Sequence, residues 1–341
     1  MVRIVIAGGT SSLASEVIDG LAATGRHEII LFSRQDTSTE GLPSSLEWRK
    51  VDYENLDQLT EALQGVNTVL SFIVAHLDPG NASQKNLITA SIKAGVKRFA
   101  PSEWMTSKLD HMSWYANKAE LREYLEEINK DKKAIEYCLF QPGYFMDYLA
   151  APHQITKHIH QQETYVNFER CQALLVDGDD NARVVFTSVK DIVNVVVLAV
   201  DYIGEWPVTG GIQGQEISIA DVLALGKKIR GASVGTSIIY ITVAHANGRS
   251  TLTGREFAVE RLSAAELKAG EFNAKGWSPR IDHPSIPPEQ LEVMAKAVNS
   301  AVLLATGAGA FQVSDEWNRL LPDYRFTTIE ELMNGVFKHK S

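Results

Sequence analysis

Three groups of residues in this sequence have types and spacings that could do chemistry. The first is Gly8-Gly9-Thr10-Ser11-Ser12-Leu13-Ala14, which interrupts the apolar run Val2–Ala7 just before a helical pattern begins. A strand, a glycine turn and a helix N-terminus in that order hold a pyrophosphate, because backbone N–H groups and the positive helix end converge on the anion. Gly8, Ser11 and Ala14 occupy the three positions where such turns carry small residues. Ala14 suits close helix–strand packing. Ser11 stands where a glycine lets the backbone approach the phosphates, so weakened binding is expected, although its hydroxyl could itself donate a hydrogen bond. Gly8, Thr10, Ser11, Ser12 and Leu13 are the candidate phosphate contacts; a strand-to-helix turn that holds nothing is the competing reading.

The second group is Ser33-Arg34, at the end of the next apolar run. An acidic residue here would bond the ribose hydroxyls of NAD, whereas a guanidinium assisted by a hydroxyl suits a 2′-phosphate. NADP(H) is therefore the expected dinucleotide, against the alternative of a solvated surface arginine. Asp52, closing the third run, is placed to face an adenine. The third group is Tyr115 with Lys118. A tyrosine and a lysine on one helix face can pass a proton, the lysine lowering the tyrosine pKa. The spacing that does this best is four, and four residues before Lys118 stands Trp114; Tyr115 is three before it. A three-residue offset also shares a face, with different geometry.

These groups need elements to hold them. Strands are expected at Val2–Ala7, Glu28–Ser33, Leu46–Val51, Asn67–Val74, Lys97–Ala100 and Ile135–Gln141. Helices are expected from Leu13, from Leu56, over Leu87–Ala94 and over Trp114–Asn129. Strands separated by helices require crossovers, and right-handed crossovers give a doubly wound parallel α/β sheet. After Pro142-Gly143 the regularity fades into an α+β pattern, with helices near Asp191–Val200, Ile219–Ile229, Ser263–Lys268 and Pro288–Thr306. We expect a Rossmann domain over residues 1–150, rejoined by 183–215, and a smaller substrate-binding cap from 151–182 and 216–341.

The net charge of −9 argues against general nucleic-acid binding, which needs a basic surface. Cys138 and Cys171 alone imply no disulfide framework and fit a reducing, cytoplasmic setting. No apolar run is long enough to span a bilayer. No metal is expected. His153, His158 and His160 lack accompanying thiol or acidic ligands, and Asp177-Gly178-Asp179-Asp180-Asn181 lacks the closing glutamate of a calcium loop and reads as a hairpin turn.

Several stretches together carry a resemblance: AGGTSSLA, SR after the second strand, VDYENLDQLTEALQGVNTVLS, SQKNLITASIKAGVKRFAPSEW, YANK followed by REYL, QPGYFMDYL and TSVKDIVNVV. As a set they resemble the NmrA-like and isoflavone-reductase-like branch of atypical short-chain dehydrogenases, fungal members above all, convincingly to about residue 200 and only loosely beyond. The resemblance implies an NADP(H)-binding Rossmann domain, a small C-terminal substrate domain and a cleft between them. It implies Lys118 as the catalytic residue, acting as general acid/base and bonding the nicotinamide ribose, with Tyr115 secondary; an exposed helix lysine is the plain alternative. Pro101-Ser102-Glu103-Trp104 would support the nicotinamide pocket through Ser102 and Glu103, or serve simply as a rigid turn. Pro142 and Tyr144 would line the cofactor, and Trp104, Met105, Tyr144 and Phe145 the substrate.

The function expected is an NADPH-dependent reduction of a carbonyl, activated C=C or benzylic bond in a small aromatic or polyketide-like metabolite. Two alternatives stay open: a dinucleotide-binding regulator without turnover, favoured by Ser11 and the missing Tyr-x-x-x-Lys pair, and a redox-neutral isomerase or cyclase.

Overall fold

The computed structural model describes residues 1–36, 46–231, 257–280 and 287–337; the remaining parts of the expected cap, 232–256, 281–286 and 338–341, lie outside the described residues. Strands β1 (Val2–Ala7), β2 (His27–Ser33), β3 (Leu46–Lys50), β4 (Thr68–Ser71), β5 (Arg98–Ala100) and β6 (Glu136–Tyr137) form a parallel sheet in the order β3-β2-β1-β4-β5-β6. Helices α1 (Ser12–Ala23), α2 (Leu56–Ala62), α3 (Ala82–Ala94), α4 (Ala116–Asn129) and α5 (Val189–Asp201) cover it. Strand side chains alternate between faces. Val5 and Ala7 of β1 pack with Leu59, Leu87, Ile88, Leu121 and Leu125 of α2, α3 and α4. Ile4 and Ile6 pack with Val17, Leu21, Ile192 and Val196 of α1 and α5. Burial on both faces is why β1 is apolar without alternation from Ile4 to Ala7. This is the doubly wound sheet expected from the sequence.

The rest of the chain adds β7 (Leu139–Gln141), β8 (Tyr144–Phe145), β9 (Val166–Asn167), β10 (Gln172–Val176), β11 (Arg183–Thr187), β12 (Thr209–Gly211), β13 (Gln215–Ser218), α6 (Ile219–Gly231), β14 (Ala258–Leu262), α7 (Ala264–Lys268), α8 (Leu291–Gly307), α9 (Glu316–Leu320) and α10 (Ile329–Phe337). Two departures from the sequence reading follow. The single strand expected over Ile135–Gln141 changes partner at Cys138: β6 pairs with β5, and β7 pairs in parallel with β12. β5 stops at Ala100, before Pro101, so the continuation takes a neighbour on its other edge. Thr209-Gly210-Gly211 carries no strand signature because its glycines serve close approach. A Cβ on Gly211 would stand 2.0 Å from the Ser314 carbonyl oxygen.

The hairpin expected at Asp177–Asn181 is absent. β10 joins the sheet β14-β10-β9, and β11 joins β13-β11-β8. The acidic turn is therefore a crossover between two sheets, tied down where Asp180 forms a bidentate ion pair with Arg261 at 2.6 and 2.8 Å. A second apolar cluster, including Tyr144, Tyr165, Phe168, Leu174, Phe186, Phe311 and Met333, lies on this side. The C-terminal stretch crosses back: Trp317 is fully buried in the cluster of α1 and α5, stacked 5.5 Å from Phe140, with Leu320, Leu321, Tyr324 and Phe326 beside it.

One carboxylate holds that stretch down. Asp191, 2% exposed in the first turn of α5, accepts bonds from the Ser188 hydroxyl (2.7 Å), the Tyr324 hydroxyl (2.7 Å) and the Thr327 amide (2.9 Å). Asp191→Ala leaves these donors without a partner, and we expect it to lower the unfolding free energy by about 2–4 kcal/mol in denaturant titrations. A loss below about 0.5 kcal/mol would contradict the anchoring role.

Candidate active site

The sheet order reverses between β1 and β4, and the glycine turn sits at that switch point, outside the C-terminal strand ends where such sheets bind ligands. Gly8 has a φ of +74°, and a Cβ there would meet the Phe72 backbone carbon at 2.7 Å and the Ile73 nitrogen at 2.9 Å. Only glycine lets β1 turn this tightly over the end of β4. Ser11 is the N-cap of α1, in ordinary extended geometry (φ −74°), and its hydroxyl accepts the Ala14 amide at 3.3 Å. The serine at the second glycine position thus works for the helix and carries no backbone strain. Thr10 is exposed; Ser12 and Leu13 are half-buried. Ser33 accepts the Gln35 amide at 3.1 Å. Arg34 is exposed and forms no ion pair among the described residues, and Asp52, also exposed, accepts the Glu54 amide at 2.9 Å. The ends of β1, β2 and β3 thus present a glycine cradle, a helix N-terminus and an uncommitted guanidinium, a donor set that fits a phosphorylated dinucleotide.

The second half of the site is built around Lys118. The helix expected from Trp114 starts two residues later: Ser113–Tyr115 form a 3-10 turn, and Tyr115 precedes α4. Tyr115 and Lys118 therefore do not stand on one helix face. They meet instead with the ammonium 3.8 Å from the centroid of the Tyr115 ring. Lys118 is only 6% exposed, and its Nζ donates to the Glu103 carbonyl oxygen at 2.5 Å. Burial pushes its pKa down to about 8; the Glu103 carboxylate pulls it up and Arg122 pulls it down. The Tyr115 hydroxyl faces the Met105 sulfur at 3.3 Å, and burial raises its pKa.

The loop after β5 is clamped from several sides. The Glu103 carboxylate takes a two-pronged ion pair from Arg122, at 3.0 and 2.6 Å, and Arg122 also donates to the carbonyls of Ser107 and Thr106. Gln84 of α3 accepts both the Ser102 amide (3.0 Å) and the Ser71 hydroxyl (3.1 Å). Trp104 adopts a left-handed φ of +54°, which a bulky residue keeps only when its surroundings over-determine it. Here the Trp104 amide donates to Phe140 (2.9 Å), its indole N–H donates to Ser71 (2.8 Å), and the ring stacks on Phe72 at 4.4 Å and Phe140 at 5.2 Å. Both faces of the indole are thus taken by the core, so Trp104 is the floor of the loop and not the substrate wall expected of it.

Met105 is half-buried beside Tyr115. Pro142 is buried, and after it Tyr144 and Phe145 point opposite ways. Phe145 enters the Rossmann cluster and so leaves the expected substrate wall. Tyr144 bonds Thr164 at 2.8 Å and meets the edges of Tyr148, Tyr165, Phe186 and Phe311. Sequence reading missed Tyr148, Thr164, Tyr165 and Arg122. Arg122 alone left a signal, being four residues after Lys118 and so on the same face of α4. Among the described residues no group of His, Cys, Asp and Glu could hold a metal, and no helix is long and apolar enough to cross a membrane. Of the three flagged histidines, His153 is hydrogen-bonded to Glu169 (3.2 Å), His158 is hydrogen-bonded to Asp19 (2.9 Å), and His160 is exposed.

A model of the NmrA-like family matches residues 2–276. Oxidoreductase BOA1 of Botryotinia fuckeliana is 26% identical over 235 residues, 68% of this chain and 77% of that protein. Phenylcoumaran benzylic ether reductase Betv6 of Betula pendula is 29% identical over 216 residues, 58% of this chain and 64% of that one. Among solved structures, the NADPH-dependent quinone oxidoreductase QOR2 of Escherichia coli, complexed with NADPH, superposes with a TM-score of 0.65 at 18% identity, covering 98% of this chain and 99% of that one. That last likeness is one of fold.

The charges around Lys118 give a signed expectation. In carbon-13 NMR of lysine-labelled protein, with Lys118→Met assigning the resonance, Lys118 should titrate near pH 8. Glu103→Gln removes an anion and should lower that midpoint, while Arg122→Met removes a cation and should raise it. Shifts of the same sign in both variants would show that these charges do not act on Nζ.

Proposed function

The chain belongs to the NmrA-like family, and from that premise we propose that it is an NADP(H)-dependent oxidoreductase that reduces a small aromatic or polyketide-like molecule at a carbonyl, activated C=C or benzylic bond. The observation that carries the reading is Lys118, a buried lysine with a lowered pKa held against the Tyr115 ring and the Glu103 carbonyl of the loop after β5, in the sheet whose β1 end carries the glycine cradle. The oxidoreductase names of its fungal relatives support it.

The Gly8 turn and the N-terminus of α1 bind the pyrophosphate, and Arg34 with Ser33 binds the 2′-phosphate. When bound, the reduced cofactor supplies a hydride. The protein's part is then to supply a proton to the oxygen left with the electron pair. Lys118 holds that proton at Nζ. Its burial makes the ammonium a stronger acid than an exposed one, so transfer near neutral pH is easier. The Glu103 carbonyl fixes where Nζ points, and the Tyr115 ring stabilises the ammonium through its negative face. Tyr144 and Tyr148 offer aromatic surface to an aromatic substrate, and Met105 helps them exclude water.

Two measurements test this. Replacing Arg34 by Ala should weaken NADPH much more than NADH, because a charge-assisted contact is lost only where a 2′-phosphate is present; equal weakening would refute the assignment. Against a panel of aromatic and polyketide-type carbonyl compounds, NADPH oxidation should fall as pH rises through about 8, where Lys118 loses its proton. Lys118→Met should remove ~10²–10⁴-fold of the rate with the fold intact. Full turnover in that variant would place the proton donor elsewhere.

A further inference from the structure

Tyr53 follows Asp52 directly after β3, and its ring is packed into the cluster of Val5, Ala7, Phe32 and Leu59. It is 6% exposed. Its position is fixed from behind, since the Asn86 side chain donates to its backbone carbonyl at 2.8 Å. Yet its hydroxyl is buried and has no hydrogen-bond partner among the described residues. That hydroxyl lies against the Gly8 amide without a hydrogen bond of ordinary geometry, and Arg34 is the cation acting on it, Asp78 the anion. Burial raises the phenol pKa, so the group is a neutral O–H donor.

For folding alone this is a poor choice of residue. A phenylalanine would fill the same apolar volume and leave no polar atom unsatisfied. Buried donors without partners in a folded chain call for a specific explanation, and this one sits at the edge of the glycine cradle. The acceptor it lacks must come from what the cradle holds. We propose that the Tyr53 hydroxyl is a further ligand of the dinucleotide, donating a hydrogen bond to a phosphate or ribose oxygen of its adenosine half between the Gly8 turn and Arg34. The assignment rests on the NADP(H) reading above. It gives the site an O–H donor from the turn after β3 in addition to the backbone donors of the glycine turn, and it explains why a polar tip is kept inside an apolar cluster.

The test is Tyr53→Phe, read in two ways. Calorimetric titration compares NADPH, adenosine 2′,5′-bisphosphate, adenosine 5′-phosphate and nicotinamide mononucleotide on the wild type and the variant. Thermal melts of both are recorded without ligand. We expect the variant to melt at the same temperature or about 1–3 °C higher. Its affinity for NADPH and for the bisphosphate should fall roughly 3- to 15-fold, while the mononucleotide is unaffected. Loss on adenosine 5′-phosphate as well identifies a ribose or 5′-phosphate acceptor; loss confined to the bisphosphate and NADPH identifies the 2′-phosphate. Unchanged NADPH affinity overturns the proposal. A melting temperature lower by several degrees also overturns it, because the hydroxyl would then have a partner within the fold. A wild type that binds neither NADPH nor the bisphosphate overturns the cofactor reading itself, an outcome separate from wild-type binding that Tyr53→Phe leaves intact.

Discussion

An ammonium taken out of water has to be compensated where it lies, and that constraint organises the centre of this molecule. Lys118 is nearly inaccessible, so its charge is met by the Glu103 carbonyl oxygen and the face of the Tyr115 ring. The Glu103 carboxylate is itself committed to Arg122, one turn further along α4. A carbonyl can be aimed so closely only if the loop carrying it cannot move. The left-handed Trp104, stacked between Phe72 and Phe140 and bonded to Ser71, provides that rigidity. The same ring stack runs on through Phe140 to Trp317, so the loop at the site and the C-terminal stretch share one packed column. A lysine left in water would need none of this and would keep its ordinary pKa.

The second organising feature is return of the chain. The smaller sheets are built from strands far apart in sequence, β8 with β11 and β13, and β10 with β14. The C-terminal residues then cross back onto the Rossmann face. Asn318 makes reciprocal bonds with the Gln213 backbone, accepting its amide at 2.9 Å and donating to its carbonyl at 2.8 Å, and Glu316 accepts the Gly211 amide at 3.0 Å. Tyr148 packs against both apolar clusters, and Tyr144 of the second cluster meets its ring. A groove of about 620 Å³ on the flank, lined among others by Glu16, Asp147, Lys157 and Lys190, does not include Lys118.

Legibility in the sequence followed the range of the interactions. The strands and helices of the first half were readable because each buries a continuous apolar run or a regular stripe, a property of neighbouring residues. The glycine turn was readable for the same reason. β12 was not, since Thr209-Gly210-Gly211 is chosen for close passage of residue 314 and not for strand propensity. The hairpin at Asp177–Asn181 was misread because turn residues look alike whether the next strand pairs with the last or leaves for another sheet. Tyr53 was passed over because an aromatic residue after a strand reads as core, and nothing local marks its hydroxyl as unpaired.

The doubly wound sheet, the glycine turn at Gly8, the guanidinium at Arg34 and a lysine on the helix after β5 could all be read from the order of residues. All of these depend on periodicity and on residues within a few positions of one another. Folding set what surrounds that lysine. It set Tyr115 ahead of the helix and over the ammonium, sent Trp104 and Phe145 into the core, and paired Glu103 with Arg122. It also brought Tyr148, Thr164 and Tyr165 around Tyr144. The reason is physical: burial, dielectric and hydrogen-bond geometry are properties of a three-dimensional neighbourhood, and the residues that set them here come from loops tens of positions apart in the chain.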